Sequence, residues 1–242
     1  MNIKQTPWEK RNLGVDSSIE FYVEQNDSWN DISKEIRKHL ESYQVMHIAS
    51  GNTDVLMNAP SLGFLPIEIN IQLARKLDEI ELPKIYKRFE PAISCSLANE
   101  EEKKLIIHTI AEGNLFSTDK VSCDPFFSEK YAGQRYAYWT QDVIDQGADL
   151  LCMKYKDKIA AFDVCIDKTG GVAEAFLGGT LPEFNNSGLG FLAIYFITKY
   201  AKEKGFKKII TGVSSNNVPI LKLHEMFNYH VESMSYCMIK HL

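Results

Sequence analysis

The chain predicts a mixed α/β (α+β) fold, with a mostly antiparallel central sheet flanked by helices and a smaller αβ unit ahead of it. Three observations carry this. Asp149 to Tyr155, Lys158 to Ile166 and Val172 to Leu177 are strand-like runs joined by tight turns at Lys156-Asp157 and Thr169-Gly170-Gly171, an antiparallel meander. The third run leads through Asn185-Asn186-Ser187-Gly188-Leu189-Gly190 into a long apolar segment ending at Gly205. Residues 19–73 alternate short strand and helix signals and precede a segment, 78–98, that carries Pro83 and Pro91. We therefore expect a unit over 1–92 and a second over 93–242.

In the first unit, Ile19 to Glu24 alternates weakly and predicts a strand. Ser28-Trp29-Asn30-Asp31 fits a helix start, followed by Ile32, Ile36, Leu40 and Tyr43 on one helical face. Gln44 to Ala49 predicts a second strand, Thr53 to Ala59 a short helix closed by Pro60 and Gly63. Phe64 to Leu73 alternates as a third strand, with Pro66 placed where a sheet edge tolerates the missing donor. In the second unit Asn99-Glu100-Glu101-Glu102 is an acidic helix start, and a further helix is expected from Ser128 to about Asp145. Gly188 to Lys204 is apolar almost all round and predicts a buried helix with Gly205 as its C-terminal cap. Lys208 to Ser214 is a strand, Asn217 with Pro219 opens another helix, and Tyr229 to Ile239 is the last strand.

Composition narrows the function. With 242 residues, 45% hydrophobic and 24% charged, the chain can bury one large core or two small ones. A net charge of −5 without a basic stripe argues against a nucleic-acid partner. The start, MNIKQTPWEK, lacks an apolar signal core, and the longest uncharged run, Phe184 to Thr198, is 15 residues, short of the roughly 20 that span a bilayer. Five cysteines without a C-x-x-C pair fit a reducing, cytoplasmic setting and read as packing thiols; no spacing suggests a metal.

The loop at 185–190 carries the chemistry. A strand that passes through a glycine-bearing turn into a helix leaves first-turn N–H groups unpaired at the positive end of the helix dipole, a ready phosphate site. In this element order, residues from about 99 to 242 resemble the GCN5-related N-acetyltransferase (GNAT) superfamily, whose Q/R-x-x-G-x-G/A motif receives the pyrophosphate of coenzyme A. Asn185 stands at the Q/R position, with Gly188 and Gly190 at the glycines. Phe126 to Trp139 and the segment from Gly212 to Met238 are similar to bacterial nucleotide-sugar N-acyltransferases, and Trp8-Glu9 with Leu13-Gly14 resembles the opening of that group.

The resemblance implies an acyl-CoA-dependent N-acyltransferase, moving acetyl or 3-hydroxybutanoyl from its coenzyme A thioester to a dTDP-linked amino-dideoxy sugar for surface polysaccharide. It implies that Ser187, Gly188, Leu189 and Gly190 hold the pyrophosphate with Asn185. Gly178-Gly179 would let the third meander strand splay, with Leu177 or Gly178 N–H as oxyanion donor and Asn217 also on the cofactor. His224 takes the place where the superfamily has an acidic tyrosine, and as imidazolium would protonate the leaving thiolate, with Tyr229 and Tyr236 as fallbacks. Glu174 is the expected base. Tyr131, Arg135 and Tyr138 are expected on the sugar nucleotide, Arg135 on its diphosphate. Alternatives are a peptide or protein amine as acceptor, or a coenzyme A-binding module without turnover. A homodimer through the N-terminal sheet edge or the last strand is also expected.

Overall fold

The computed structural model describes residues 1–113, 115–127 and 129–242. β1 (Asn2–Gln5) and β2 (Ser18–Val23) pair antiparallel, with the short helix α1 (Glu9–Leu13) between them. Ser28 caps α2 (Trp29–Ile36) by accepting the Asp31 N–H, and β2 then pairs parallel with β3 (Tyr43–Ala49) across that helix. Asn52 caps α3 (Thr53–Asn58); a 3₁₀ turn, Ala59–Leu62, leads to β4 (Leu65–Lys76). Residues 78–98, expected as a connection, hold the 3₁₀ segment Lys84–Ala92 and a strand, β5 (Ile93–Leu97).

Asn99 and Glu102 form a reciprocal capping box on α4 (Glu100–Ala111). The next helix is α5 (Glu129–Asp145); its expected start at Ser128 lies outside the described residues. The meander is β6 (Asp149–Tyr155), β7 (Lys158–Lys168) and β8 (Val172–Thr180), with Lys156 and Asp157 both at positive φ in the first turn. α6 (Phe191–Glu203) begins at Phe191 rather than Gly188, because Gly188 turns the chain at φ 79°. β9 (Lys208–Ser214), α7 (Val218–Met226), capped by Asn217, and β10 (His230–His241) complete the fold.

Among the described residues, ten strands form one sheet in the order β1-β2-β3-β10-β4-β9-β8-β7-β6-β5. β10 therefore lies between β3 and β4, inside the part of the sheet built from the first unit. From Ser235 to Ile239 both of its sides are paired, so that stretch offers no free edge for the expected dimer contact through the last strand. β4 is likewise interior. Pro66 is tolerated because β9 pairs only with Asn70 to Lys76, so the chain at 66 faces no donor-hungry neighbour on that side.

α6 packs Phe191, Leu192 and Ile197 onto Ala161, Cys165, Ala173 and Ile209, covering one face of the second half. Fully burying each such side chain is worth about 1.5–3 kcal/mol, enough to fix the helix on the sheet. α4 and α5 cover the opposite face through Ile106, Ile110, Ala137, Phe162 and Val164. Ile32, Ile36 and Val55 cover β2 and β3 on the first face, while α1 and α5 close the other through Leu13 and Ala132 against Tyr43 and Val45.

Candidate active site

β8 and β9 run parallel but pair only at Val172–Lys208, Ala173–Ile209 and Glu174–Ile210. Beyond Glu174 the strands separate, and a register shift against β7 places Phe176 as an extra residue in β8. The Ala175 carbonyl accepts the Thr211 hydroxyl at 2.9 Å across the opening. A cavity of about 200 Å³ occupies the gap, running from Gly190 past Gly178, Gly179 and Leu177 to Thr211, Asn217 and His224. Gly178-Gly179 is thus strand, not turn, and the backbone of Phe176 to Gly179 presents a ladder edge that β9 does not take up.

The loop meets this cavity at its open end. Asn185 ends the 3₁₀ turn Pro182–Phe184, Ser187 N–H bonds the Phe184 carbonyl, and Leu189, 2% exposed, anchors the loop in the core. Ser187 Oγ accepts the Leu189 N–H at 3.3 Å. Gly188 and Gly190 N–H have no acceptor among the described residues and precede the first turn of α6. The Gly188 and Gly190 N–H groups, the helix start and the Asn185 side-chain amide are therefore a set of donors suited to a diphosphate, whereas Ser187, expected among them, gives both its N–H and its hydroxyl to the Phe184 carbonyl; the splayed strand suits an extended arm.

His224 does line the cavity, from α7, but its state differs from the expectation. It is 8% exposed, and burial pushes its imidazole down to about 4 against the hydrogen bond with Ile220 O at 2.9 Å. At neutral pH the ring is uncharged, with Nδ1–H donated to Ile220 and Nε2 left as acceptor; the imidazolium donor is not present. Tyr229 OH is shared with Thr198 at 2.7 Å, burial raises it, and it does not line the cavity. Tyr236 lies on β10 beside Ile48 and Ile69, away from the cavity.

A second chamber of about 650 Å³ adjoins the first and shares Asp119, Tyr136 and Phe176 with it. Its walls come from β2, β3, β4, β10 and β8 on one side and α5 on the other. Glu174 lines it, but its carboxylate is in an ion pair with Lys168 at 2.9 Å. Glu68 and Asp119 stand closer to the junction. Glu68 lies beside Ser214 of the first cavity, and its Oε2 is buried without a hydrogen-bond partner. Burial, with the nearby Asp119 charge, raises Glu68 above the usual carboxylate range, against Ser214 and the Lys120 charge. Asp119 accepts the Tyr136 hydroxyl at 2.7 Å. Sequence reasoning missed Glu68, Asp119 and Tyr136, which are far apart along the chain.

The three residues expected on a sugar nucleotide are not brought together. Arg135 lines the chamber but is 1% exposed and held by Glu9, with Nη2 to Oε1 at 2.7 Å and Nε to both carboxylate oxygens; its plane sits 3.7 Å from the Trp139 ring centre. Burial opposes its charge, yet the Glu9 carboxylate more than offsets this and raises the guanidinium above its ordinary value. That charge is already neutralised, so the fork is not free for a diphosphate. Tyr131 is 42% exposed beside Phe127, away from both cavities. Tyr138 accepts from Gln134 and lies under Arg11, on a separate groove between α4 and α5. Lys120, the other buried cation of the chamber, is paired with Glu20 at 3.1 Å.

Residues 117–229 match the acetyltransferase (GNAT) family, a span that takes in α5, the meander, the loop, the splay and α7. No curated protein matches the sequence. Among solved structures it is similar to a GCN5-related N-acetyltransferase from Sphaerobacter thermophilus, at 15% identity and TM-score 0.59 over 88% of this chain. The chain spans 65% of that protein's length. A GCN5-related N-acetyltransferase from Kribbella flavida is similar at 15% identity and TM-score 0.58, over 93% of this chain and 81% of that one. A tandem GNAT protein from the clavulanic acid biosynthesis pathway is similar at 14% identity and TM-score 0.54, over 88% and 68%. At these identities the likeness speaks for the fold alone: a mixed sheet flanked by helices, GNAT-like in architecture.

Proposed function

We propose that the protein is an acyl-CoA-dependent N-acyltransferase, in which the splay between β8 and β9 receives the acyl donor and the adjoining chamber receives a primary amine. The observation that carries this is the junction at Asp119, Tyr136 and Phe176, residues that line both the cavity in the splay and a larger adjoining chamber with charged walls. Residues 93–242 supply the donor site, and residues 1–92 shape most of the acceptor wall.

Acyl-CoA supplies a thioester carbonyl, made for attack by a neutral amine. The N–H groups of Gly188, Gly190 and the start of α6, with the Asn185 side chain, hold the diphosphate, while Ser187 and Leu189 fix their loop. A backbone N–H of Leu177 or Gly178 supports the developing oxyanion. Glu68 removes one proton from the entering ammonium, its raised affinity suiting it to this better than the ion-paired Glu174. His224, uncharged, holds the end of the cavity, and Asn217 fixes the start of its helix.

For the acceptor, the free charge of the chamber supports an amine whose remainder is neutral or cationic. Lys120, Arg135 and Glu174 are matched by Glu20, Glu9 and Lys168, leaving Glu68, Asp119 and Glu24 against Lys4. A second reading keeps the dTDP-linked amino-dideoxy sugar, with acetyl or 3-hydroxybutanoyl as the acyl group. The aromatic wall of Trp8, Tyr22, Trp139 and Phe176 supports it by offering faces for a sugar or base. Thiol release decides between them, with acetyl-CoA and 3-hydroxybutanoyl-CoA each offered to diamines, lysine peptides, free amino sugars and dTDP-amino sugars. Turnover only with the nucleotide sugars selects the second reading. Coenzyme A binding without thiol release from any amine makes the fold a non-catalytic module, and no binding of coenzyme A at all overturns the proposal.

A further inference from the structure

One buried acidic side chain has no role in the reaction above. Asp163 lies near the middle of β7, opposite Gly178 in register, and is 5% exposed. It lines the splay cavity, whose wall also includes Ala175, Ala193 and Ile194. Oδ1 accepts the Val164 N–H at 2.8 Å; Oδ2 receives no hydrogen bond from any described residue. The carboxyl fills the space that Gly178 leaves. A Cβ at 178 would stand 2.5 Å from Oδ2 and 3.2 Å from the Phe162 carbonyl oxygen, so this acid and this glycine are a matched pair.

A bare carboxylate in such a place is costly without a cation beside it. The titratable groups around it are Cys165 on its own strand, Cys95 on β5, Tyr229 before β10 and His224 on α7. All are uncharged at neutral pH. Burial accordingly pushes the Asp163 carboxyl well above the ordinary range, with the Val164 N–H opposing it weakly. A buried carboxylic acid has an O–H that needs an acceptor, and the cavity side is where one can enter.

We propose that Asp163 is a donor-binding residue: its protonated carboxyl gives a hydrogen bond to a carbonyl oxygen of the acyl-CoA arm lying in the splay. This rests on the reading of the splay as the acyl-CoA site, and it involves no bond making or breaking. Because the bond needs the proton, acyl-CoA affinity falls as pH rises through the carboxyl's titration. Asp163→Asn keeps an acceptor for Val164 N–H and replaces the O–H with an amide donor. Asp163→Ala removes the donor.

Calorimetry of coenzyme A and acetyl-CoA binding, across pH, to the wild-type chain and both variants tests this. Infrared spectroscopy of the carboxyl stretch accompanies it. The expected results are wild-type affinity that weakens with rising pH, an Asn variant within about threefold of it and insensitive to pH, and an Ala variant about tenfold weaker. The protonated-carboxyl band is expected in the wild type, missing from Asp163→Asn, and shifted when coenzyme A is added. Wild-type binding with an unmoved band, or equal affinity in the Ala variant, overturns the Asp163 role alone. Failure of the wild type to bind coenzyme A overturns the underlying reading as well. Should Asp163→Ala not fold, the band and the Asn comparison still decide.

Discussion

Removing Glu9 isolates the guanidinium of Arg135. That side chain is 1% exposed, donates its side-chain hydrogen bonds to one carboxylate, and is stacked on Trp139. In Glu9→Ala the cation stays buried without a partner, and breaking a buried pair in this way costs about 3–5 kcal/mol. For a chain of this size about 1 kcal/mol corresponds to a shift of about 2–4 °C, so the melting temperature falls by on the order of 10 °C. Urea unfolding followed by tryptophan fluorescence reads the loss, since Trp139 reports on the guanidinium and Trp8 sits next to the mutated residue. The double change Glu9→Leu with Arg135→Met recovers most of the loss, because it removes the buried charge together with its partner. A Glu9→Ala loss below about 1 kcal/mol would place the pair with exposed ion pairs and refute the argument.

Glu68→Gln is expected to lower kcat by about 100-fold or more, with the rise of kcat/KM from acid to neutral pH abolished, since the base acts only when ionised and its titration lies above the usual carboxylate range; an unchanged pH profile dismisses it as base. His224 makes stability depend on pH. Its folded value near 4 lies below the unfolded value near 6.5, so its contribution is complete above 6.5 and is lost as pH falls to 4, on the order of 3 kcal/mol. His224→Gln should flatten that part of the stability curve, measured by urea midpoints at pH 4.5 and 7. Gly178→Ala drives a methyl against Asp163 Oδ2 and should cost about 1–3 kcal/mol and raise the KM for acyl-CoA. Gly188→Ala, forced to keep φ 79°, should cost about 1 kcal/mol of stability and weaken coenzyme A binding, read by calorimetry.

What could be read from the sequence was local. The meander, the loop and the helix after it are written in turns, glycines and apolar runs that act within a few residues, and the strands formed close to their expected ends. The acidic start at Asn99 became a full capping box for the same reason. β5 escaped notice because Ile93–Leu97 is short and its partner, β6, lies more than fifty residues on. The acceptor chamber could not be seen at all. Glu68, Asp119 and Tyr136 share no periodicity and meet only once β4 and α5 are in place. Arg135 shows the same limit from the other side. On a helix with Tyr131 and Tyr138 it resembles a ligand-binding fork, and nothing near it in the chain announces that Glu9 will consume its charge. His224 lines the cavity seven residues beyond Asn217, yet its protonation is set by packing that the spacing does not encode.

The position of β10 has a consequence for biosynthesis. Residues 1–76 contribute β1 to β4 to the finished molecule, but between β3 and β4 they leave a gap that residues 230–241 fill. While the chain is being made, those two strands have no central neighbour and expose unpaired amides and carbonyls to other nascent chains. The two halves must therefore ripen together, late and through contacts distant in sequence, which favours slow folding and a need for chaperones. Deleting residues 230–241 should accordingly wreck the fold of residues 1–76, although the two segments lie far apart in the sequence.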